Sequence, residues 1–352
     1  MEHKSCDWNY SSSHRGYDWR AFEPSGSEDN RTSTIYWPLV PVAMAGSIRC
    51  AHTYSVVAHD AKARELGVAV QSHYFAVGPD VPWAEAGVGA VATQAFVDVG
   101  YGPRGLELMR RGVSAPEALA RLVARDKLRN ERQVAMVDGR GRVAVHTGAR
   151  CIADAGHHTG KGWSVQANMM VNASVVPAMA LAFERARGDL ADRFLETLEA
   201  AERAGGDIRG RQSAAILVVR GRRTASPWRA RVFDLRVEDD REPLEELRRL
   251  VSLRRAYLAL DASDDAFRRK DVRGGARNLD RAVALGGENP EFAFWGAVAL
   301  AKHGRVSRSI PMLRRIFRQD ARWEELLRRL PNAGIAKSEL VARLLHRSDA
   351  RP

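Results

Sequence analysis

Lysine is scarce in this chain of 352 residues. Lys4, Lys62, Lys127, Lys161, Lys270, Lys302 and Lys337 are the seven among 55 basic residues, so the net charge of +12 is almost wholly arginine. Cysteine is scarcer still. Cys6, Cys50 and Cys151 lie too far apart for a disulfide framework or a zinc pattern, so a reducing, cytoplasmic setting is expected. No run of about 18 apolar residues occurs, which excludes a predicted membrane-spanning helix. The apolar stretch 35–46 contains Ala43-Met44-Ala45, but Pro38 and Pro41 interrupt it and a long polar segment precedes it, so it makes a poor export signal. No G-x-G-x-x-G follows a strand pattern and no phosphate loop appears, which leaves a nucleotide fold without support. His146, His157 and His158 lack metal spacing, and His157-His158 reads as a loop. No metal or organic cofactor is expected. From residue 241 onward, 24 Lys and Arg stand against 15 Asp and Glu. Without an aromatic-rich RNA motif or a zinc finger this reads as a solvated basic helical surface, and nucleic acid is not the expected partner.

What is present begins at Thr53. Residues 1–34 have no periodicity, and 1–52 read as a disordered or leader segment, with Met44 as an alternative start. "TYSVVAHD", a polar turn and "LGVAVQSHYFAVG" predict a hairpin. "GVGAVATQAFV" (87–97) predicts a third strand. "PRGLELMRRG" and "SAPEALARLVARD" predict helices, the second capped by Ser114 with Pro116 in its first turn. Asp138-Gly139 inside "RQVAMVDGRGRVAVHTG" is the strongest short hairpin signal. "GWSVQANMMV" (162–171) predicts a strand and 175–206 a helix. "SAAILVVRG" (213–221) and "RARVFDLRVE" (229–238) predict the closing strands. Strands, helices, strands, helices, strands with antiparallel hairpins imply an α+β fold, two sheets stacked between helical layers. After residue 240 the pattern is helical only. Offset by 34 residues, Val272 falls on Val306, Leu279 on Leu313, Ala282 on Ile316 and Ala259 on Ala293, a tetratricopeptide-like period. The expected domains are 53–237, a helical region at 241–330 and a flexible tail at 331–352.

"TYSVVAHD", "LGVAVQSHYFAVG", "VPWAEAGVGAVATQ", "YGPRGLELMRRG", "RQVAMVDGRGRVAVHTG", "GWSVQANMM" and "AGGDIRGRQSAAILVV" together resemble the bacterial family called domain of unknown function 1028, placed among the N-terminal nucleophile (Ntn) hydrolases. The resemblance spans about Thr53 to Val237. It implies a four-layer αββα sandwich, a homodimer, and a C-terminal region of the kind labelled peptidoglycan-binding with a tetratricopeptide-like tail. It also implies that Thr53, which follows the initiator Met in such relatives, is a nucleophile. A Thr hydroxyl needs a base within reach, and a free α-amine on the same residue, with a pKa near 8, supplies one. Here 52 residues precede Thr53, and an internal Thr has no free amine, which leaves three alternatives: the leader is removed at His52–Thr53, the true start lies downstream of Met1, or the enzyme is inactive. Cys50 and Ser55 are rival nucleophiles, Ser55 on the same strand face as Thr53.

The remaining candidates surround that residue. Ser72, beside Gln71 and His73, ends the second strand. Backbone N–H groups at Thr93-Gln94, or the side chain of Asn168, are candidate donors to an oxyanion. Asp207, Arg209, Arg211, Gln212 and Ser213 crowd the turn after Gly205-Gly206, where a planar Arg beside an Asp suits a substrate carboxylate or orients the amine. The expected catalytic residues are Thr53, Ser72 and Asn168. Gln94, Asp207, Arg211, Gln212 and Ser213 are the expected substrate-binding residues. The function expected is hydrolysis of an amide bond in a small amide or peptide. The alternative is an inactive module of this fold whose helical tail binds a peptide, a cell-wall fragment or a protein.

Overall fold

Side-chain alternation decides how the strands stack. The computed structural model describes residues 50–349, which belong to one compact unit. Its eleven strands are β1 (Cys50–Ala51), β2 (Thr53–Asp60), β3 (Glu65–Ser72), β4 (Pro82–Glu85), β5 (Gly89–Phe96), β6 (Arg132–Asp138), β7 (Val143–Thr147), β8 (Gly156–Gly160), β9 (Trp163–Ala167), β10 (Ser213–Arg220) and β11 (Arg231–Val237). They form two antiparallel sheets. The first runs β1-β5-β6-β7, with β4 also on β5; the second runs β11-β10-β3-β2-β9-β8. On β2, Tyr54, Val56 and Ala58 join one apolar cluster while Val57 joins another. That is the period of two expected of a strand covered on both faces.

Three clusters follow in succession. Val91, Val134 and Met136 pack under helices α1 (Tyr101–Arg110) and α2 (Ala115–Arg125). Val57, Val68, Val70, Ala90, Ala92, Ala135 and Val137 fill the space between the sheets. Tyr54, Val56, Val165 and Ile216 pack under α3 (Val175–Arg185) and α4 (Leu190–Arg203). Helices, sheet, sheet and helices are thus layered in that order. The inter-sheet layer changes character along its length. Residues of the same parity as its apolar members become Ser55, Gln94, Gln133 and Gln166 at one end, all fully buried. A polar end inside a double-sheet core is where a site is expected.

Residues 82–85 add a strand, β4, that no sequence expectation covers. Three expectations need correction. Residues 175–206 make two helices, because Gly188 adopts a positive φ of 102° and Asp189 then caps α4 through Asp192 N–H. His157 and His158 lie in β8, paired with Gln166 and Val165 rather than in a loop. The tail expected to be flexible carries α10 (Ser338–Asp349), whose Val341 and Leu344 are buried. The expectations for residues 1–49 lie outside the described residues.

The helical region comprises α5 (Pro243–Arg268), α6 (Val272–Gly286), α7 (Pro290–Lys302), α8 (Val306–Gln319), α9 (Arg322–Arg329) and α10. The first turns of α5 belong to the strand region's core: Leu244, Leu247 and Val251 pack into the cluster beneath β10 and β11. Arg255 anchors the same helix to the start of α4, 2.6 Å from Asp189 and 2.8 Å from Asp192. Further on, α6 and α8 start at Val272 and Val306, with Leu279 and Leu313 equivalently buried, so the 34-residue offset is visible as helix spacing. No helix among the described residues is long and apolar enough to cross a membrane.

The β6–β7 turn yields a pH dependence. Asp138 is 4% exposed and accepts from Ala115, Arg140 and Arg142 N–H and from the Arg142 guanidinium at 2.7 Å. Burial alone would raise its pKa, but these hydrogen bonds outweigh it and leave the carboxyl below its usual 3.8. A depressed folded pKa contributes stability that is present above the unfolded value and lost as pH falls through the folded one. Asp138→Asn is therefore expected to flatten the decline in Tm below about pH 4. An unchanged acid limb would contradict this.

Candidate active site

Thr53 opens β2 and is fully buried, facing the inter-sheet layer alongside Ser55. Its partner across the hairpin is Ser72, the last residue of β3. The Thr53 hydroxyl donates to Ser72 Oγ at 3.1 Å, and Ser72 Oγ donates to the carbonyl oxygen of His52 at 2.6 Å. A second donor, the Arg209 guanidinium, reaches that same carbonyl at 2.8 Å. The hydroxyl of Thr53 and two hydrogen-bond donors thus converge on the peptide bond just before Thr53.

The sequence around Arg209 explains its reach. Gly205 and Gly206, with φ of 119° and 62°, turn the chain out of α4 through conformations open to glycine. This brings Asp207 against Met170 in an isolated bridge. The Asp207 carboxylate is fully buried and grips Arg209 in a fork, with Nε 3.0 Å from Oδ1 and Nη2 2.7 Å from Oδ2. A forked pair of this kind fixes the guanidinium plane, so Nη2 points at the His52 carbonyl by geometry rather than by chance.

The other side of Thr53 is an amide network. Gln94 Nε2 donates to the Thr53 carbonyl at 3.1 Å and to Gln133 Oε1 at 2.7 Å. Asn168 N–H donates to the same Thr53 carbonyl at 3.1 Å, and Asn168 Nδ2 donates to Gln133 Oε1 at 2.9 Å. Ser55 donates to Gln94 Oε1 and receives from Gln166 Nε2, each at 2.6 Å. Gln133 ties the two sheets together by donating to the carbonyls of Gly156 and Ala167. The backbone is strained beside two of these amides. Ala95 follows Gln94 with φ 68°, and Met169 follows Asn168 with φ 60°. Non-glycine residues there cost of order 1–3 kcal/mol, and such outliers cluster where a site over-determines the backbone.

His52 itself is 2% exposed. Its ring stands edge-on to Phe96 with centroids 5.7 Å apart, and Nδ1–H donates to Asn168 Oδ1 at 2.8 Å. Burial pushes its pKa below the usual 6.5, against the Asn168 hydrogen bond and with help from Arg209.

The expected site residues divide accordingly. Thr53, Ser72, Asn168 and Gln94 come together. Asp207 is one step removed, acting on Arg209. Arg211 does not pair with Asp207 as expected: its guanidinium lies between Glu202 and Glu242, because the turn at Gly210 points it to the outer face of α4. Gln212 binds Asp239. Ser213 is buried, bonded to the Tyr74 carbonyl and Val77 N–H, where it secures the loop after β3. The backbone at Thr93 is also unavailable as an oxyanion donor, since its N–H is held by the Val81 carbonyl and its hydroxyl by the Asp98 carbonyl. The sequence places Arg209 in the turn cluster and His52 before the bond to be cut without giving either a role in the site, and it does not single out Gln133 or Gln166. Strand parity flags the two glutamines, which fall on the inward face of otherwise apolar strands.

A separate cavity of about 440 Å³ lies at the opposite end of the second sheet, lined by Arg64, Arg220, Arg222, Arg223 and Arg229. It shares no residue with the Thr53 cluster. Among the described residues no group of three or more His, Cys, Asp or Glu is arranged to hold a metal ion.

The family model for a family of unknown function, DUF1028, matches residues 53–247. The chain belongs to DUF1028. The DUF1028 match starts at Thr53 and ends at Leu247, so it takes in the α5 residues Leu244 and Leu247 that complete the core. A crystal structure of a DUF1028 protein from Silicibacter pomeroyi is 29% identical and superposes with a TM-score of 0.52, covering 57% of this chain and 85% of that one. No curated protein matches the chain.

Proposed function

We propose that this DUF1028 chain is an amide hydrolase of the N-terminal-nucleophile type, with Thr53 as nucleophile, and that it exposes Thr53 by cutting its own His52–Thr53 bond. The observation that carries the reading is the His52 carbonyl, held by Ser72 and Arg209 next to the Thr53 hydroxyl. The helix–sheet–sheet–helix layering agrees with the αββα sandwich of such hydrolases.

In the self-cutting step Thr53 Oγ adds to the His52 carbonyl carbon. Charge develops on the carbonyl oxygen, where Ser72 Oγ and Arg209 Nη2 already donate. Donors fixed in advance of the charge are worth more in a buried site than in water. The Oγ proton passes to the amide nitrogen, the C–N bond breaks, and an ester joins His52 to Thr53 Oγ. Water then adds to the ester carbon, Oγ regains a proton, and His52 leaves as a carboxylic acid. Thr53 now carries a free α-amine with a pKa near 8, within reach of its own hydroxyl.

The same parts serve an external amide. The α-amine takes the Oγ proton as the hydroxyl attacks, then gives it to the leaving amine. Ser72 and Arg209 hold the developing oxyanion. Asp207 orients Arg209, and the amide network of Gln94, Asn168 and Gln133 fixes the Thr53 backbone. Arg209→Ala and Ser72→Ala are each expected to slow amide hydrolysis by about 10²–10³-fold. The check is kcat on any amide the processed chain cleaves, beside a thermal melt. Unchanged kcat in both variants would overturn the roles of these donors.

A further inference from the structure

We propose that the Thr53 site binds the acyl side of its substrate as an extended peptide strand on the edge of β5, in the seat that residues 50–52 occupy in this chain. The inference rests on the hydrolase reading above and adds the substrate class.

The edge of β5 is divided between two strands. β4 covers it from Gly89 to Ala92, with Pro82 opposite Ala92. Beyond that point the edge is taken by β1, with Ala51 opposite Ala95 and Cys50 opposite Phe96. The stretch left over by β4 is therefore about three residues long and ends at the nucleophile. Pairing of this kind is made by main-chain groups, so it recognises a peptide backbone whatever its side chains. An amide without an extended chain on its acyl side leaves that edge unmatched.

The last seat is specific. The residue before the cut bond places its carbonyl on Ser72 and Arg209, as His52 does. Its side chain enters a closed space beside the Phe96 ring and Asn168 Oδ1. That space suits a flat ring carrying one N–H donor. A carboxylate there would face Asn168 Oδ1 as one acceptor against another, so an acidic residue is expected to fit less well than histidine. Ala95, with its φ of 68°, turns the β5 backbone where the bound strand meets it. The segment 50–52 is thus the site's first substrate and, until cut, its occupant.

The test uses the full chain after its own cleavage and three acetylated p-nitroanilides. The first has the sequence of residues 48–52, the second is the same peptide with aspartate in place of the terminal histidine, and the third is histidine alone. The first is expected to have a kcat/KM at least about tenfold above each of the others, the worth of two main-chain hydrogen bonds or one mismatched side chain. Equal rates on all three, abolished by Thr53→Ala, overturn the strand seat and leave the hydrolase reading intact. A chain that is never cut and cleaves no amide overturns both.

Discussion

Thr53→Ala is expected to leave the chain uncut and to reduce amide hydrolysis by on the order of 10⁶-fold, the loss typical when a nucleophile that works as part of a unit is removed. The effect is large because neither neighbouring serine can substitute. Ser72 donates to the His52 carbonyl and would be attacking from the oxyanion side. Ser55 is locked between Gln94 and Gln166. The Thr53 methyl and hydroxyl are buried with no solvent contact, so alanine removes the reacting oxygen at little cost to packing. Thr53→Ser is the matching control: it keeps the oxygen and should retain cutting. The readouts are intact mass and release of an amine from an amide substrate. An uncut but fully active alanine variant would place the chemistry elsewhere.

Leu247→Ala is expected to destabilise the chain by about 2–5 kcal/mol, as for other fully buried leucines. Leu247 is 0% exposed and sits with Leu244 and Val251 in the cluster shared with Ile216, Val218 and Phe233. In a domain of this size each kcal/mol corresponds to about 2–4 °C in Tm. Leu181, 47% exposed on α3, supplies the comparison, and its alanine variant should stay within about 0.5 kcal/mol of the parent. The contrast bears on domain organisation. A chain ending at Val237 would strip Leu244, Leu247 and Val251 from beneath the second sheet and leave that cluster open to water. Truncation there is expected to cause unfolding, and a well-folded product would show that α5 is peripheral.

Much of this was legible in residue order. Alternation in "TYSVVAHD" and "LGVAVQS" announced paired strands, and Ser114 announced a capped helix, since each signal is local. The 34-residue offset showed because α6 and α8 repeat the same buried leucine. What stayed hidden depends on contacts distant in sequence. Arg209 and Arg211 are two residues apart and chemically identical, and only the fold of the turn at Gly210 decides which one Asp207 grips. His52 looks like the end of an unpatterned segment. It becomes part of a site only because Phe96 and Asn168, 44 and 116 residues away, close around it. The α3–α4 break was overlooked because apolar spacing continues across Gly188, while the positive φ that ends the run is a property of the folded backbone.

The central claim is that Thr53 becomes an N-terminal residue by the chain's own chemistry, and intact mass spectrometry of the purified full chain tests it most directly. The account predicts a fragment whose mass begins at Thr53 in the parent, slow appearance of that fragment in Arg209→Ala, and none in Thr53→Ala. A parent chain that keeps its His52–Thr53 bond through prolonged incubation, with an unreduced Tm showing that it is folded, would contradict the account.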